Sequence, residues 1–185
     1  VWADQKDCPD MACAATTFPA KPEGSGRTYD KLFVRHWDTW VEPGTRSRIS
    51  AYPIEGGKLT GMGVRLTGEL EGDTPSKPFG GGEEIAFSPD GRTVYFALRE
   101  AGRIEATSTN LDIFASPSDG SAPPTNLTDA NDATDNLSAV SPDGRRLAYG
   151  AMARPAYEAE RQVVQLRDLA TGQVRALTQG WDRSV

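Results

Sequence analysis

Apolar and polar residues alternate most cleanly in two stretches that read alike, Ile85-Ala-Phe87 with Thr93-Val-Tyr-Phe-Ala-Leu98, and Ser138-Ala-Val140 with Arg146-Leu-Ala-Tyr-Gly-Ala151. A period of two over such short runs predicts half-buried strands rather than helices. Each pair of runs is broken by the same turn, Ser88-Pro-Asp-Gly91 and Ser141-Pro-Asp-Gly144, and the two copies start 53 positions apart, at Phe87 and Val140. Pro89 and Pro142 pre-set φ at the first turn position. Gly91 and Gly144 supply the positive φ that closes a tight hairpin. Downstream the copies still match: Asp112-Ile-Phe-Ala115 and Asn126-Leu-Thr128 correspond to Val163-Val-Gln-Leu166 and Ala176-Leu-Thr178. Four short strands per unit of roughly 45 to 50 residues is the cadence of a β-propeller blade.

The pattern therefore predicts an all-β chain, a partial propeller of about three four-stranded antiparallel blades. Residues 1–28, rich in Pro, Gly, Ala and Lys, read as an extended leader anchored by Trp2 and Phe18. Residues 29–68 read as an incomplete first blade, with strands at Leu32–Trp37, Arg48–Ile54 and Met62–Leu66 and an opening strand either absent or supplied by the leader. A polar linker covers 69–83. The second blade spans 84–128, with strands near 84–88, 93–98, 111–116 and 124–128. An acidic linker covers 129–136, and the third blade spans 137–178, with strands near 137–141, 146–151, 162–168 and 174–178. Residues 179–185, beginning at Trp181, read as the entry to a further blade. A propeller removes its sheet edges only by closing a ring, typically of 4 to 8 blades. The arc is thus expected to be completed by polypeptide beyond these residues, and Val1 in place of Met fits a trimmed chain.

Composition narrows the function classes. The chain has 185 residues, a net charge of −6 and a pI near 4.9, and its Lys and Arg are scattered. No dense basic patch exists to release counterions from a phosphate backbone, so nucleic acid is not an expected partner. No apolar run reaches the length of a membrane span, and no cofactor motif is present. Cys8 and Cys13 are the two cysteines. Two thiols alone make a poor zinc site, so a local disulfide is the better reading, which would place the chain in an oxidising compartment, periplasmic or secreted.

Catalytic candidates are few. Gly-x-Ser-x-Gly is absent, Ser88 and Ser141 belong to turns, and a triad would have to use the single histidine, His36. No catalytic residue and no metal ligand is assigned. Arg35-His-Trp-Asp38 with Trp40 is the densest cluster of unusual side chains. It reads either as a knot in which Asp38 orients His36 or Arg35 and both indoles pack, or as a polar cluster facing a substrate channel. Asp129, Asp132 and Asp135 supply oxygen ligands without the spacing of an EF-hand, so a solvated loop is expected. Arg154-Pro-Ala-Tyr-Glu-Ala-Glu-Arg161 interrupts the third blade as a protrusion, where Pro155 permits a helical turn and Glu158 and Arg161 fall at i, i+3. It reads as an exposed ion-paired turn, or as two carboxylates that hold a ligand's free amino group.

With these residues in view, the chain resembles the N-terminal propeller part of the dipeptidyl aminopeptidase and acylaminoacyl-peptidase branch of the prolyl oligopeptidase superfamily. The likeness is carried by Asp7-Cys-Pro-Asp-Met-Ala-Cys13, Tyr29-Asp-Lys-Leu-Phe-Val-Arg-His-Trp-Asp-Thr-Trp40, Pro75-Ser-Lys-Pro-Phe79, both Ser-Pro-Asp-Gly turns, Ser108-Thr-Asn-Leu-Asp-Ile113 and Ala151-Met-Ala-Arg-Pro155. Ser-Pro-Asp-Gly is shared with propellers that resemble TolB. The Arg-His-Trp-Asp-x-Trp cluster and the Met-Ala-Arg-Pro segment are more specific. The resemblance implies an exported serine exopeptidase that removes dipeptides, with a propeller capping a C-terminal α/β-hydrolase domain that carries the Ser-His-Asp triad. It implies no catalytic residue within this chain, since His36 does not match the family's catalytic histidine. It implies short peptides as partners and makes Glu158 and Glu160 candidates for binding the peptide N-terminus. The competing reading is a non-enzymatic TolB-like periplasmic propeller that binds a protein partner. The length of the intact polypeptide separates the two, roughly 600 to 700 residues for a propeller with a hydrolase domain against roughly 400 for a propeller alone.

Overall fold

The structure is a computed structural model that describes residues 2–5, 24–26, 28–29, 32–41, 45–102 and 105–185. Cys8, Cys13 and Phe18 lie outside the described residues. Among those described, the fold is all-β: seventeen strands and one short 3-10 turn, η1 (Gly82–Glu84), with no α-helix. No helix among them is long and apolar enough to cross a membrane.

Two sheets hold the regular structure. The first comprises β10 (Ile85–Phe87), β11 (Thr93–Glu100), β12 (Asp112–Pro117) and β13 (Thr125–Asn126) in that order, all antiparallel. The second repeats the order with β14 (Asp135–Val140), β15 (Arg146–Ala151), β16 (Val163–Asp168) and β17 (Val174–Ala176). The first sheet also takes a fifth partner, β9 (Gly72–Asp73), which pairs with the far end of β11 inside the stretch read as a linker.

Both hairpins close as their sequences predict. Gly91 and Gly144 each have φ of 71°. The loop residues also brace one another in the same way twice over. Ser88 Oγ donates to Asp90 at 2.6 Å and accepts from Thr93 N at 2.9 Å; Ser141 Oγ donates to Asp143 at 2.6 Å and accepts from Arg146 N at 3.0 Å. The serine hydroxyl is the chief cause of carboxyl pKa values below the usual range at Asp90 and Asp143.

The period of two decides which side chain meets which layer. On β11, Val94, Phe96 and Leu98 pack with Phe114 against Ile49 and Leu66, residues of the preceding segment. Tyr95 faces the other way and joins Ile113 in a cluster with Leu147, Tyr149 and Ala151 of β15. Phe96 and Ile113 are fully buried, and each such side chain contributes about 2 to 3 kcal/mol of apolar burial. The two sheets are thus stacked face to face, with Asp135 N donating to Leu111 O at 2.8 Å at one end of the seam.

The segment 29–68 departs from the sequence expectation. In place of three strands it forms short two-residue ladders: β2 (Arg35–His36) with β3 (Thr39–Trp40), β5 (Ser50–Ala51) with β8 (Val64–Arg65), and β6 (Ile54–Glu55) with β7 (Lys58–Leu59). Leu32–Trp37 does not run as one strand, because Phe33 and Trp37 take φ of 69° and 51° and turn the chain sharply. The leader does supply a strand here: β1 (Trp2–Gln5) pairs antiparallel with β4 (Thr45–Arg48). Residues 179–185 form no strand.

Candidate functional site

The Arg35–Trp40 hairpin, Phe79 ahead of η1, the end of β11 and the Arg154–Arg161 protrusion converge on one face. Trp37 lies at the hairpin tip with 63% of its surface exposed, and its ring meets Phe79, itself 68% exposed, edge to face at 5.2 Å. His36 sits behind them, 5.3 Å from the Phe33 ring and 6.2 Å from that of Trp37. The Arg99 guanidinium caps the Phe33 ring at 5.3 Å and donates to the carbonyls of Glu105 and Ser108.

Charge ties the protrusion to this group. Burial lowers the His36 pKa and Arg99 lowers it further, while the Glu158 carboxylate and a hydrogen bond between the imidazole and the Lys77 backbone pull it back upward. The net direction leaves a neutral imidazole at neutral pH. Burial likewise lowers the Arg99 pKa, opposed by Glu105 and Glu158. Glu158 is therefore the exposed anion whose field reaches both His36 and Arg99.

The knot reading of the cluster is corrected by this geometry. Asp38 accepts a 3.3 Å hydrogen bond from its neighbour Thr39, and both indoles are exposed, Trp40 lying under the Arg35 guanidinium at 5.4 Å.

Glu158 and Glu160 stand in different positions. Glu160 accepts from Arg154 Nε and from Arg161 N, and that pairing holds its carboxyl below the usual range. The Arg154 guanidinium also lies 4.1 Å from the centre of the Tyr157 ring. Arg161 does not pair with Glu158, as the i, i+3 spacing allowed; it donates to the carbonyls of Thr178, Gln179 and Trp181. The protrusion is a run of turns rather than a helical one, with Ala156 at φ 60° and its N–H donating to Thr109 Oγ1 at 2.9 Å. Glu158 is left projecting.

Below this face lies a buried ionic layer that sequence reasoning missed. Arg46 donates to Asp73 at 2.9 Å and to Glu105 at 3.2 Å, Lys77 pairs with Asp73 at 3.0 Å, and Ser47 N donates to Asp73 at 2.6 Å. No local signal could have found it, since Arg46 and Glu105 are 59 positions apart.

The acidic linker is also corrected in part. Asp129 and Asp132 are exposed, but Asp135 is only 1% exposed and opens strand β14, accepting at both oxygens from Asn131 Nδ2 at 3.1 Å. Burial pushes its carboxyl up to about 7, against the hydrogen bonds from Asn131 and Thr128. Among the described residues no group of three or more His, Cys, Asp or Glu is arranged to hold a metal ion.

What these features define is an all-β chain of stacked antiparallel sheets presenting an aromatic face beside an exposed carboxylate. The chain is similar to proteins named dipeptidyl-peptidase 5: 32% identical over 177 residues to that of Arthroderma otae, 35% over 179 to that of Trichophyton equinum, and 31% over 174 to a probable one of Emericella nidulans. These alignments take in 86 to 89% of the chain but 24% of each relative, so the chain spans about a quarter of the length of the curated relatives it matches. The resemblance to the dipeptidyl aminopeptidase branch, read from the motifs, thus holds against these relatives. No protein-family model matches the chain. Among solved structures it is similar to a TolB-like protein of Agrobacterium tumefaciens, with 23% identity and a TM-score of 0.44 over 70% of this chain and 44% of the other.

Proposed function

We propose that this chain is the propeller portion of an exported serine exopeptidase of the dipeptidyl-peptidase kind. In this reading it restricts access to short peptides and helps bind their N-terminus, while an α/β-hydrolase domain elsewhere in the polypeptide performs the acyl transfer. Support comes from the relatives, named as dipeptidyl peptidases, and from the stacked sheets with repeated Ser-Pro-Asp-Gly hairpins, which suit blades of a propeller. The oxidising compartment that a Cys8–Cys13 bridge would need agrees with export to the periplasm or the exterior.

The observation that carries the binding role is Glu158: exposed, projecting from a protrusion braced by the Arg154–Glu160 pair, with its field on His36 and Arg99. A carboxylate so placed is suited to a charge-assisted hydrogen bond with a peptide's terminal ammonium. Glu160 then acts as a positioning residue through Arg154.

The test is Glu158→Gln in the full-length polypeptide. KM for peptides with a free amino terminus should rise about tenfold, the low end for a hydrogen bond to a charged group, while amine-blocked substrates are spared. Equal loss on both classes would reject the role of Glu158. A full-length protein that hydrolyses no peptide would reject the peptidase reading itself.

A further inference from the structure

The arm that carries Glu158 leaves the second sheet at the end of β15 and rejoins it at β16, and from Ala153 to Ala159 every residue on it is exposed. It buries little apolar surface, so polar contacts must fix its course. Some of these are internal: the Arg154–Glu160 pair, the Arg154 guanidinium over the Tyr157 ring at 4.1 Å, and Glu160 N donating to Tyr157 O at 3.0 Å. They give the arm a shape and leave its place on the molecule to be set from outside.

The root of the arm is tied to the linker before β14. Met152 N donates to Thr134 O at 2.9 Å, and Met152 O accepts from Asn131 Nδ2 at 3.0 Å. Beyond the root, Ala156 N donates to Thr109 Oγ1 at 2.9 Å, a bond that reaches across 47 positions to the loop leading into β12. Thr109 is itself held from the other side. Its carbonyl accepts from Thr134 Oγ1 at 2.6 Å, and Thr134, 7% exposed, bridges in parallel to Leu111. Thr109 thus takes one bond from the buried seam at its backbone and one from the arm at its side chain.

The second of these bonds falls where the direction of the arm is decided. Ala156 has φ 60°, a left-handed conformation that an L-residue keeps only where its surroundings impose it, and Tyr157 and Glu158 follow directly. Threonine suits the acceptor's part, because its branched Cβ restricts χ1 and keeps the hydroxyl aimed once the backbone is fixed.

We propose that Thr109 is a positioning residue for Glu158: its hydroxyl, anchored to the seam between the sheets, fixes the turn at Ala156 and so the place from which the carboxylate meets a peptide's ammonium. This rests on the reading of Glu158 given above and adds what holds that side chain in place. A displacement of about 1 Å is enough to weaken an oriented contact. The loss should therefore appear in substrate binding and leave the chemical step alone.

The test uses the full-length polypeptide carrying Thr109→Val, which keeps the branched shape and removes the acceptor, and Thr109→Ser, which keeps the acceptor. Amide exchange over residues 153–161, read by mass spectrometry, needs no substrate. In Thr109→Val it should quicken about fivefold, the scale of one hydrogen bond's net contribution, while β11, β12 and β15 exchange as in wild type. KM for free-amine peptides should rise about three- to fivefold at constant kcat, amine-blocked peptides should be unaffected, and Thr109→Ser should restore both readouts. Unchanged exchange in the arm, or faster exchange throughout both sheets, would overturn the hold of Thr109 on the arm. A loosened arm with unaltered KM would overturn the positioning role. An arm that loosens in Thr109→Val while Glu158→Gln fails to separate free from blocked amines would place the failure in the reading of Glu158, not in the hold of Thr109.

Discussion

Asp135 offers the sharpest quantitative check on how the two sheets are joined. Its carboxyl is 1% exposed, sits at the end of the seam between β12 and β14, and faces Asn131, Thr128, the second buried acid Asp112 and the Tyr149 hydroxyl. Desolvation raises it from 3.8 to about 7. A group whose folded pKa lies above its unfolded one is protonated in the fold while already ionised in the unfolded chain. Its contribution to stability is therefore whole below about pH 4 and is lost as pH rises toward about 7. A displacement of about three pH units, at 1.36 kcal/mol each, makes that loss about 4 kcal/mol. Asp135→Asn removes the ionisation and keeps an acceptor for Asn131. The variant should exceed wild type by about 1 kcal/mol near pH 4.5 and by up to about 4 kcal/mol near pH 8. Urea midpoints followed by tryptophan fluorescence across that range give the difference directly. Taking variant minus wild type cancels the exposed turn carboxylates, whose lowered values act in the opposite direction. Parallel stability curves for the two proteins would refute the argument, as would a variant less stable at pH 8 than at pH 4.5 relative to wild type.

Two further outcomes test the layer beneath the aromatic face. Arg46→Met takes from Glu105, 6% exposed, its hydrogen-bonded cation, while Asp73 keeps Lys77 and Ser47 N, and should cost about 3 kcal/mol by chemical denaturation, the low end for a broken buried pair; adding Glu105→Gln should recover part of it. Gly72→Ala would place a Cβ 2.3 Å from Arg99 O and 2.8 Å from Leu98 Cδ2, contacts that only backbone movement relieves, so it should lower stability by about 1 to 3 kcal/mol and reduce Tm.

The parts of this fold that were legible in the chain are those in which a few neighbouring residues set the geometry. Pro, Asp and Gly in the repeated turns, with apolar alternation on either side, placed β10, β11, β14 and β15 within two residues at most of their ends. The segment before Leu70 misled, because β-branched and aromatic residues such as Phe33, Val34 and Trp37 favour strands on average, whereas the backbone there turns left-handed twice to suit Arg99 and His36. Asp135 misled for the same kind of reason. Among aspartates in a polar run it looks solvated, and only its pairing with Leu111 across the seam takes it out of water.

By itself, then, the order of residues determined the all-β character, the repeated hairpins and the motifs that carry the resemblance to dipeptidyl peptidases, since each depends on spacings of a few positions. The tertiary structure decided which carboxylates are buried, paired or free, and which aromatics face water. Those properties depend on desolvation and on partners as much as 59 positions away, such as Arg46 and Glu105, and no local pattern encodes them. Glu158 and Glu160 make the division plain: two positions apart and chemically near-identical, they part company because Arg154 folds back onto one and not the other.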